Sequence, residues 1–295
     1  MNSLNSDYKL YLKLLRPWQW AKNTLIIIPI VLSNSFGLDK FLDSIGIFFL
    51  FSFYVSGNYI LNDLNDIDLD RNHPEKKYRP IASGEVSEKV AKRIAYFLLI
   101  SSLLITFINY EVEIVYLYLI YLFIAMVYTK SLKFVNFIDS IAISTLFLIR
   151  LTIGGIVVNL DITIFLYIFT FFISMFIVYL KKNSILHKKL LDDNLFHKKL
   201  IDQNSKLNFK YILIMLGIAT NLSLILWSMN LTKDFSNYKW IALIAYNVIF
   251  AYIIYRLINN SKKAELEDFV FGLFKDKVLI GLLVAILILF VYFYF

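Results

Sequence analysis

The side chains best suited to chemistry lie in one stretch: Asn62, Asp63, Asp66, Asp68 and Asp70, followed by Arg71, His73, Glu75, Lys76, Lys77 and Arg79. If the chain is helical there, Asn62, Asp66 and Asp70 stand at i, i+4 and i+8 and share one face. Oxygen ligands stacked in this way suit a hard cation such as Mg²⁺, which keeps several waters and shares itself with a diphosphate. Four carboxylates within eight residues repel one another. A bound cation, or the neighbouring Lys76, Lys77 and Arg79, relieves that repulsion. A solvated acidic helix end fits the same pattern. Arg150 stands alone in an apolar run. A charge at the centre of a membrane helix costs about 2.5–3.5 kcal/mol on insertion scales, so it faces a cavity and a partner. His187 and His197, ten apart in a basic stretch, are spaced for a solvated face rather than a metal pair. With no cysteine there is no thiolate nucleophile, no disulfide framework and no Cys-ligated metal.

The elements that position these residues are set by hydropathy. The chain of 295 residues is 59% hydrophobic and 18% charged, and its apolar residues fall in blocks of about 18–22 residues, the length of a bilayer-spanning helix. That excludes a soluble enzyme, a disordered chain and a disulfide-stapled secreted domain. Nine spans are expected, at about 23–38, 41–61, 91–109, 112–128, 137–157, 162–180, 209–230, 239–258 and 277–295. Residues 1–22 lack a small-residue cleavage site and are not expected to be a signal peptide. Tyr8, Tyr11, Leu12 and Leu15 follow helical spacing opposite Lys9, Lys13 and Arg16. This predicts an interfacial helix ended by Pro17, with Trp18 and Trp20 at headgroup level. Of the 30 Lys and Arg, 26 fall on the side that holds the N-terminus, 62–90, 129–136, 181–208 and 259–276. The other side carries Lys40, Lys233 and Lys239, and Arg150 lies within a span. The positive-inside rule makes the first side cytoplasmic, with the C-terminus outside. The net charge of +8 therefore orients the chain, and no nucleic-acid partner is needed to explain it.

The acidic stretch resembles the first Asp-rich motif, Asn-Asp-x-x-Asp-x-x-x-Asp, of the UbiA-type intramembrane prenyltransferase superfamily. Residues 62–87, NDLNDIDLDRNHPEKKYRPIASGEVS, are similar to one branch of it, the decaprenyl-phosphate phosphoribosyltransferases. So are Arg16-Pro17-Trp18-Gln19-Trp20-Ala21-Lys22-Asn23, and Tyr128, Leu132-Lys133, Asp139 and Leu148-Ile149-Arg150 with Gly154-Gly155. Asp276-Lys277 resembles a further pair of that branch. The resemblance implies an all-α bundle of nine transmembrane helices in a single domain, 1–295, with a cytoplasmic-facing cavity open sideways to lipid. It also implies transfer of 5-phosphoribose from phosphoribosyl pyrophosphate (PRPP) to a polyprenyl phosphate in a bacterial inner membrane, by a chain able to form homo-oligomers.

Such a reaction brings three anionic groups together, so cations are needed at several points. Mg²⁺ on Asn62, Asp66 and Asp70 would neutralise the departing diphosphate, with Asp63, Asp66 and Asp70 as the catalytic acids. Lys76, Lys77 and Arg79 are placed to grip the donor, and Lys22 to hold the lipid headgroup. Tyr128, Lys133, Lys181 and Lys182 are expected at phosphates, Arg150 at another, and Asp139 at a ribose hydroxyl or a lysine; a structural pair with another helix is the alternative for Arg150. Gly154-Gly155 reads as helix packing or a bend. Where prenyltransferases of the superfamily carry a second acidic motif, this chain has Tyr179-Leu180-Lys181-Lys182-Asn183-Ser184-Ile185-Leu186, which is basic. Ile185 stands where the branch usually has a glutamate, a role open to Asp192 or Asp193. Residues 183–208 read as an amphipathic surface helix over the site. A true prenyltransferase is the alternative enzyme. A lipid carrier would need polar groups in both halves of the membrane, and here they are confined to one.

Overall fold

The computed structural model describes residues 10–33, 37–132, 137–188, 208–231, 237–261 and 275–294. Every regular element among them is helical. The long helices are α1 (Leu38–Asn65), α2 (Glu88–Asn109), α3 (Val112–Val127), α4 (Ile138–Val158), α5 (Ile164–Lys188), α6 (Phe209–Leu231), α7 (Asn237–Ser261) and α8 (Lys277–Tyr294). Counting the π-helical turn Tyr128–Leu132 with α3, seven of these, α1 to α7, are long and apolar enough to cross a bilayer. The apolar α8 is shorter, about 27 Å at 1.5 Å per residue.

The expected first span does not form a single helix. Residues 10–15 are helical, and Arg16 then adopts a left-handed conformation with φ 54° ahead of Pro17. A 3₁₀ segment, Pro17–Ile26, follows, and after a break at Ile27 comes the short helix Ile28–Leu32. Pro29 has no N–H to continue an α-helical ladder from the preceding turn. Trp18 is exposed, but Trp20 is turned onto α1, donating Nε1–H to Ser56 Oγ at 2.9 Å and meeting Phe53 edge-on at 5.4 Å. The expected loop at 181–188 is also revised, because α5 runs unbroken to Lys188. Most of the predicted surface helix over 183–208, with His197, Asp192 and Asp193, lies outside the described residues.

The chain divides into two compact units. The first comprises Met1–Lys133 and Leu146–Ile162, the second Phe134–Thr145 and Thr163–Phe295. In the first, Phe51, Tyr54, Val55, Tyr118, Tyr121, Ile149 and Ile153 form a buried core, with the Tyr54 hydroxyl donating to the Tyr118 carbonyl at 3.0 Å. Two glycines allow close approach. A Cβ on Gly57 would fall 2.9 Å from the Ala95 carbonyl oxygen of α2, and one on Gly154 would fall 2.2 Å from the Ile26 carbonyl oxygen. Gly154 is therefore the point where the 3₁₀ segment crosses α4, in keeping with the packing role expected of it. The outward faces of α2 and α3 are apolar and exposed, as at Phe97, Ile108 and Phe123, which suits contact with lipid.

In the second unit, Phe176, Tyr179 and Leu180 of α5 pack with Leu213, Ile253, Ile254, Leu257 and Leu279. Phe169, Trp227 and Phe290 stack with centroids 6.0 Å apart at each step. Asp276 accepts from Arg256 Nε at 2.6 Å and Nη2 at 2.9 Å, and from Asn260 at 2.8 Å, while also capping the first amides of α8. Of the pair noted in the sequence as Asp276-Lys277, Asp276 is thus a clasp between α7 and α8.

Candidate active site

At the end of α1 the helix does not continue straight through the acidic residues. It stops at Asn65, and Asp66, with φ −100° and ψ 11°, joins it to a second short helix, Ile67–Arg71. This joint sorts the acids onto two faces. Asp63 and Asp70 turn inward, at 4% and 3% exposure. Arg79 Nη1 donates to Asp63 Oδ1 at 3.1 Å and to Asp70 Oδ2 at 2.6 Å, and Arg16 Nη2 donates to Asp63 Oδ2. Two carboxylates and two guanidiniums thus make a quartet of no net charge. Burial lowers the pKa of Arg16, and the Asp63 carboxylate opposes that effect. The repulsion expected within the acidic run is relieved here by arginine.

Asn62 and Asp66 lie on the other face. Asn62 Nδ2 donates to Asp66 Oδ2 at 3.3 Å, and the Thr129 hydroxyl donates to Asn62 Oδ1 at 2.8 Å. Of the three residues expected to share one cation, the structure therefore brings Asn62 and Asp66 together and gives Asp70 to Arg79. Among the described residues, no three His, Asp or Glu side chains form a group able to hold a metal. Mg²⁺ needs fewer protein ligands than that, because one or two carboxylates, waters and substrate phosphates complete its shell. The hard oxygens of Asn62 and Asp66 fit that requirement.

The loop between α1 and α2 is held by its own bonds. Buried His73 accepts at Nδ1 from the amides of Glu75 and Lys76, at 3.2 and 3.3 Å, and the Val86 amide donates to the Pro80 carbonyl at 2.8 Å. Lys76 and Lys77 sit on the turn Lys76–Tyr78, with Lys77 over the Tyr78 ring at 5.1 Å. Lys22 is exposed on the 3₁₀ segment, and Tyr128 opens the π-helical turn after α3. Lys133 lies outside the described residues.

Arg150 is 3% exposed and bonded to the protein. Its Nε donates to Asn23 Oδ1 at 2.8 Å, its Nη1 to the Leu146 carbonyl at 2.5 Å and its Nη2 to the Tyr121 hydroxyl at 2.9 Å. The rings of Tyr121, Phe147 and Phe51 lie 5.0, 5.2 and 5.6 Å away. Asn23 in turn donates to Ser52 at 3.0 Å. Arg150 thus ties the 3₁₀ segment to α3 and α4, and through Asn23 to α1.

In the second unit, Lys182 Nζ meets Asp139 Oδ2 at 2.5 Å and Ser140 Oγ at 3.2 Å, above the Tyr179 ring at 5.0 Å. Asp139 thus takes a lysine. Lys181 beside it is exposed.

Residues 26–275 match the UbiA prenyltransferase family. The chain belongs to that family. Its long apolar helices fit an integral membrane protein. Among curated UbiA-related proteins, decaprenyl-phosphate phosphoribosyltransferase of Mycobacterium tuberculosis is 29% identical over 180 residues, 59% of each chain. The match therefore spans less than two thirds of that relative's length. A solved structure described as giving insights into digeranylgeranylglyceryl phosphate synthase in membranes superposes with a TM-score of 0.66 at 20% identity, over 97% of this chain and 98% of its own. A UbiA homologue from Archaeoglobus fulgidus, bound to GPP and Mg²⁺, gives 0.62 at 19% identity, over 89% and 98%. At those identities the likeness shows the fold.

Two residues that matter here are given no site role by the sequence. Arg16 lies on the polar face of the expected interfacial helix and opens the motif Arg16–Asn23, and neither feature points to Asp63. Thr129, beside Tyr128, carries no signal beyond its closeness to a span end.

Proposed function

We propose that the protein transfers 5-phosphoribose from PRPP to a polyprenyl phosphate at the cytoplasmic membrane face, releasing diphosphate. The observation that carries this reading is the basic end of α5. Where a prenyl diphosphate donor held between two acidic motifs would need carboxylates, the chain has Lys181 and Lys182, the latter already joined to Asp139. The name of the Mycobacterium relative supports the same reading.

In this reading Asn62 and Asp66 would hold Mg²⁺, which would supply Lewis-acid neutralisation of the departing diphosphate. The bond from C1 to the diphosphate breaks through an oxocarbenium-like transition state, and a bond from C1 to an acceptor phosphate oxygen forms. The acceptor is already ionised, so no strong general base is required. Lys76 and Lys77, on the turn held by His73, meet the donor phosphates. Arg79 holds Asp63 and Asp70 in place, and Asp70 reaches the ion only by leaving Arg79. Lys22, Tyr128 and Lys133 complete the phosphate contacts in this reading.

A prenyltransferase acting on an isoprenyl diphosphate is the second reading, favoured by the GPP-bound structural neighbour. Purified protein with Mg²⁺ is offered polyprenyl phosphate with PRPP, or a prenyl diphosphate with an aromatic acceptor. Formation of a polyprenyl phosphoribose in the first mixture, and no product in the second, is expected. The reverse outcome replaces this reading with the second.

A further inference from the structure

A cavity of about 470 Å³ opens between the end of α1, the start of α2 and the end of α3, all within the first unit. Its inner wall is one face of α1, with the amides of Asn58, Asn62 and Asn65 at i, i+4 and i+7. Facing them are Lys89 and Lys92 from α2 and Lys130 from the π-helical turn. None of these lysines makes an ion pair with a described residue. Glu88 is the only acid in the lining, so the cavity is net cationic. Its rim is different in kind. Tyr96 and Met126 line it and are about half exposed, and beside them on the outer faces of α2 and α3 stand the exposed Phe97 and Phe123. The cavity thus combines lysines and amide donors inside with an apolar border toward lipid.

We infer that this cavity seats the phosphate headgroup of the polyprenyl acceptor, with its isoprenoid tail leaving between Tyr96 and Met126 along α2 and α3. Ammonium and amide donors make the charge-assisted bonds that hold a phosphate, while the rim gives an apolar chain a path that a soluble phosphate would not use. The cavity also touches the donor side through a shared residue: Asn62 lines it and bonds Asp66 at 3.3 Å. An acceptor oxygen held there is delivered to the face on which the donor diphosphate is placed. Lys22, the headgroup contact expected from the sequence, does not line the cavity. The identity of the lipid rests on the phosphoribosyl-transfer reading; the site itself rests on the cavity.

The full chain in lipid nanodiscs is compared with K89Q/K92Q and K130Q. A diazirine-bearing polyprenyl phosphate, added without PRPP, is photo-crosslinked and mapped, and Michaelis constants are measured for both substrates. Crosslinks are expected within 89–97 and 123–130, to fade in both variants and to resist excess phosphatidylglycerol. The Michaelis constant for polyprenyl phosphate should rise roughly tenfold or more, as losing charge-assisted phosphate contacts implies, with that for PRPP little changed. Crosslinks elsewhere, equal competition by phosphatidylglycerol, or an equal rise for PRPP overturns the proposal. Crosslinks at the expected positions in a protein that transfers no phosphoribose would sink the functional reading and leave the lipid site standing.

Discussion

Removing the Asp63 carboxylate would leave Arg16 and Arg79 with only Asp70 to balance them in a largely buried setting. Breaking such a pair costs about 3–5 kcal/mol, because the surviving charge stays desolvated. Asp66, three residues on, bonds Asn62 and lies outside the quartet of Asp63, Asp70, Arg16 and Arg79. The two acids should therefore fail differently. Asp63→Ala is expected to lower the unfolding temperature of the detergent-solubilised protein markedly and to lose activity with it. Asp66→Ala is expected to unfold near the wild-type temperature while losing nearly all turnover. An Asp66→Ala protein that keeps most of its activity with Mg²⁺ present would remove this face from the metal site. For Arg150, Arg150→Lys should not restore the stability lost in Arg150→Met. A lysine cannot reproduce the fork that reaches Asn23, Leu146 and Tyr121 together.

Between elements, the 3₁₀ segment is held where Gly154 meets Ile26. Gly154→Ala forces backbone apart at that crossing and should destabilise the protein by about 1–3 kcal/mol, the usual cost of overpacking. Gly281→Ala, with nothing within 4 Å of its new Cβ, is the matched control. Equal effects on thermal unfolding would refute the close-approach argument. The clasp of Arg256 on Asp276 makes a separate prediction. Hydrogen bonds from Arg256, then those from Asn260 and the Leu279 amide, hold the Asp276 carboxyl well below the usual carboxylate range. The unfolded state, with a pKa of about 3.9, then takes up its proton at higher pH than the folded state. The stabilisation is full above that value and declines as pH falls below it toward the folded pKa. Asp276→Asn should flatten the acid limb of a stability–pH curve; an unchanged limb would show that the clasp contributes nothing there.

For the molecule as a whole, the lysine and arginine distribution supports the proposal that the α1–α2 loop faces the cytoplasm, where a soluble pyrophosphate donor would be met. Cysteines substituted singly at Ser83 and Asn237 in this cysteine-free chain report on the two sides. Ser83→Cys should react with an impermeant thiol reagent only after the cells are opened, and Asn237→Cys in intact cells. Reaction of the Ser83 variant in intact cells would reverse the orientation and exclude a cytosolic donor.

Most span limits were legible because insertion depends on the apolar content of about 20 consecutive residues, a sum that can be read locally. The pairing of Asn62 with Asp66 was legible for a similar reason, since helical spacing alone places them together. The first span was misread because composition cannot show that Pro29 and the crossing at Gly154 leave a 3₁₀ segment where hydropathy predicts a helix. Arg79 beside the acidic run and a lysine for Asp139 were legible as partners, but the contacts between distant segments were beyond local reading. Arg16 reaches Asp63 across 47 residues, and Arg150 reaches Asn23 across 127. The sequence therefore determined which charges the protein carries and near which end of each helix they lie. Only the tertiary structure decided which charges neutralise one another, because a buried ion takes the partner that packing brings within hydrogen-bond reach, however distant along the chain.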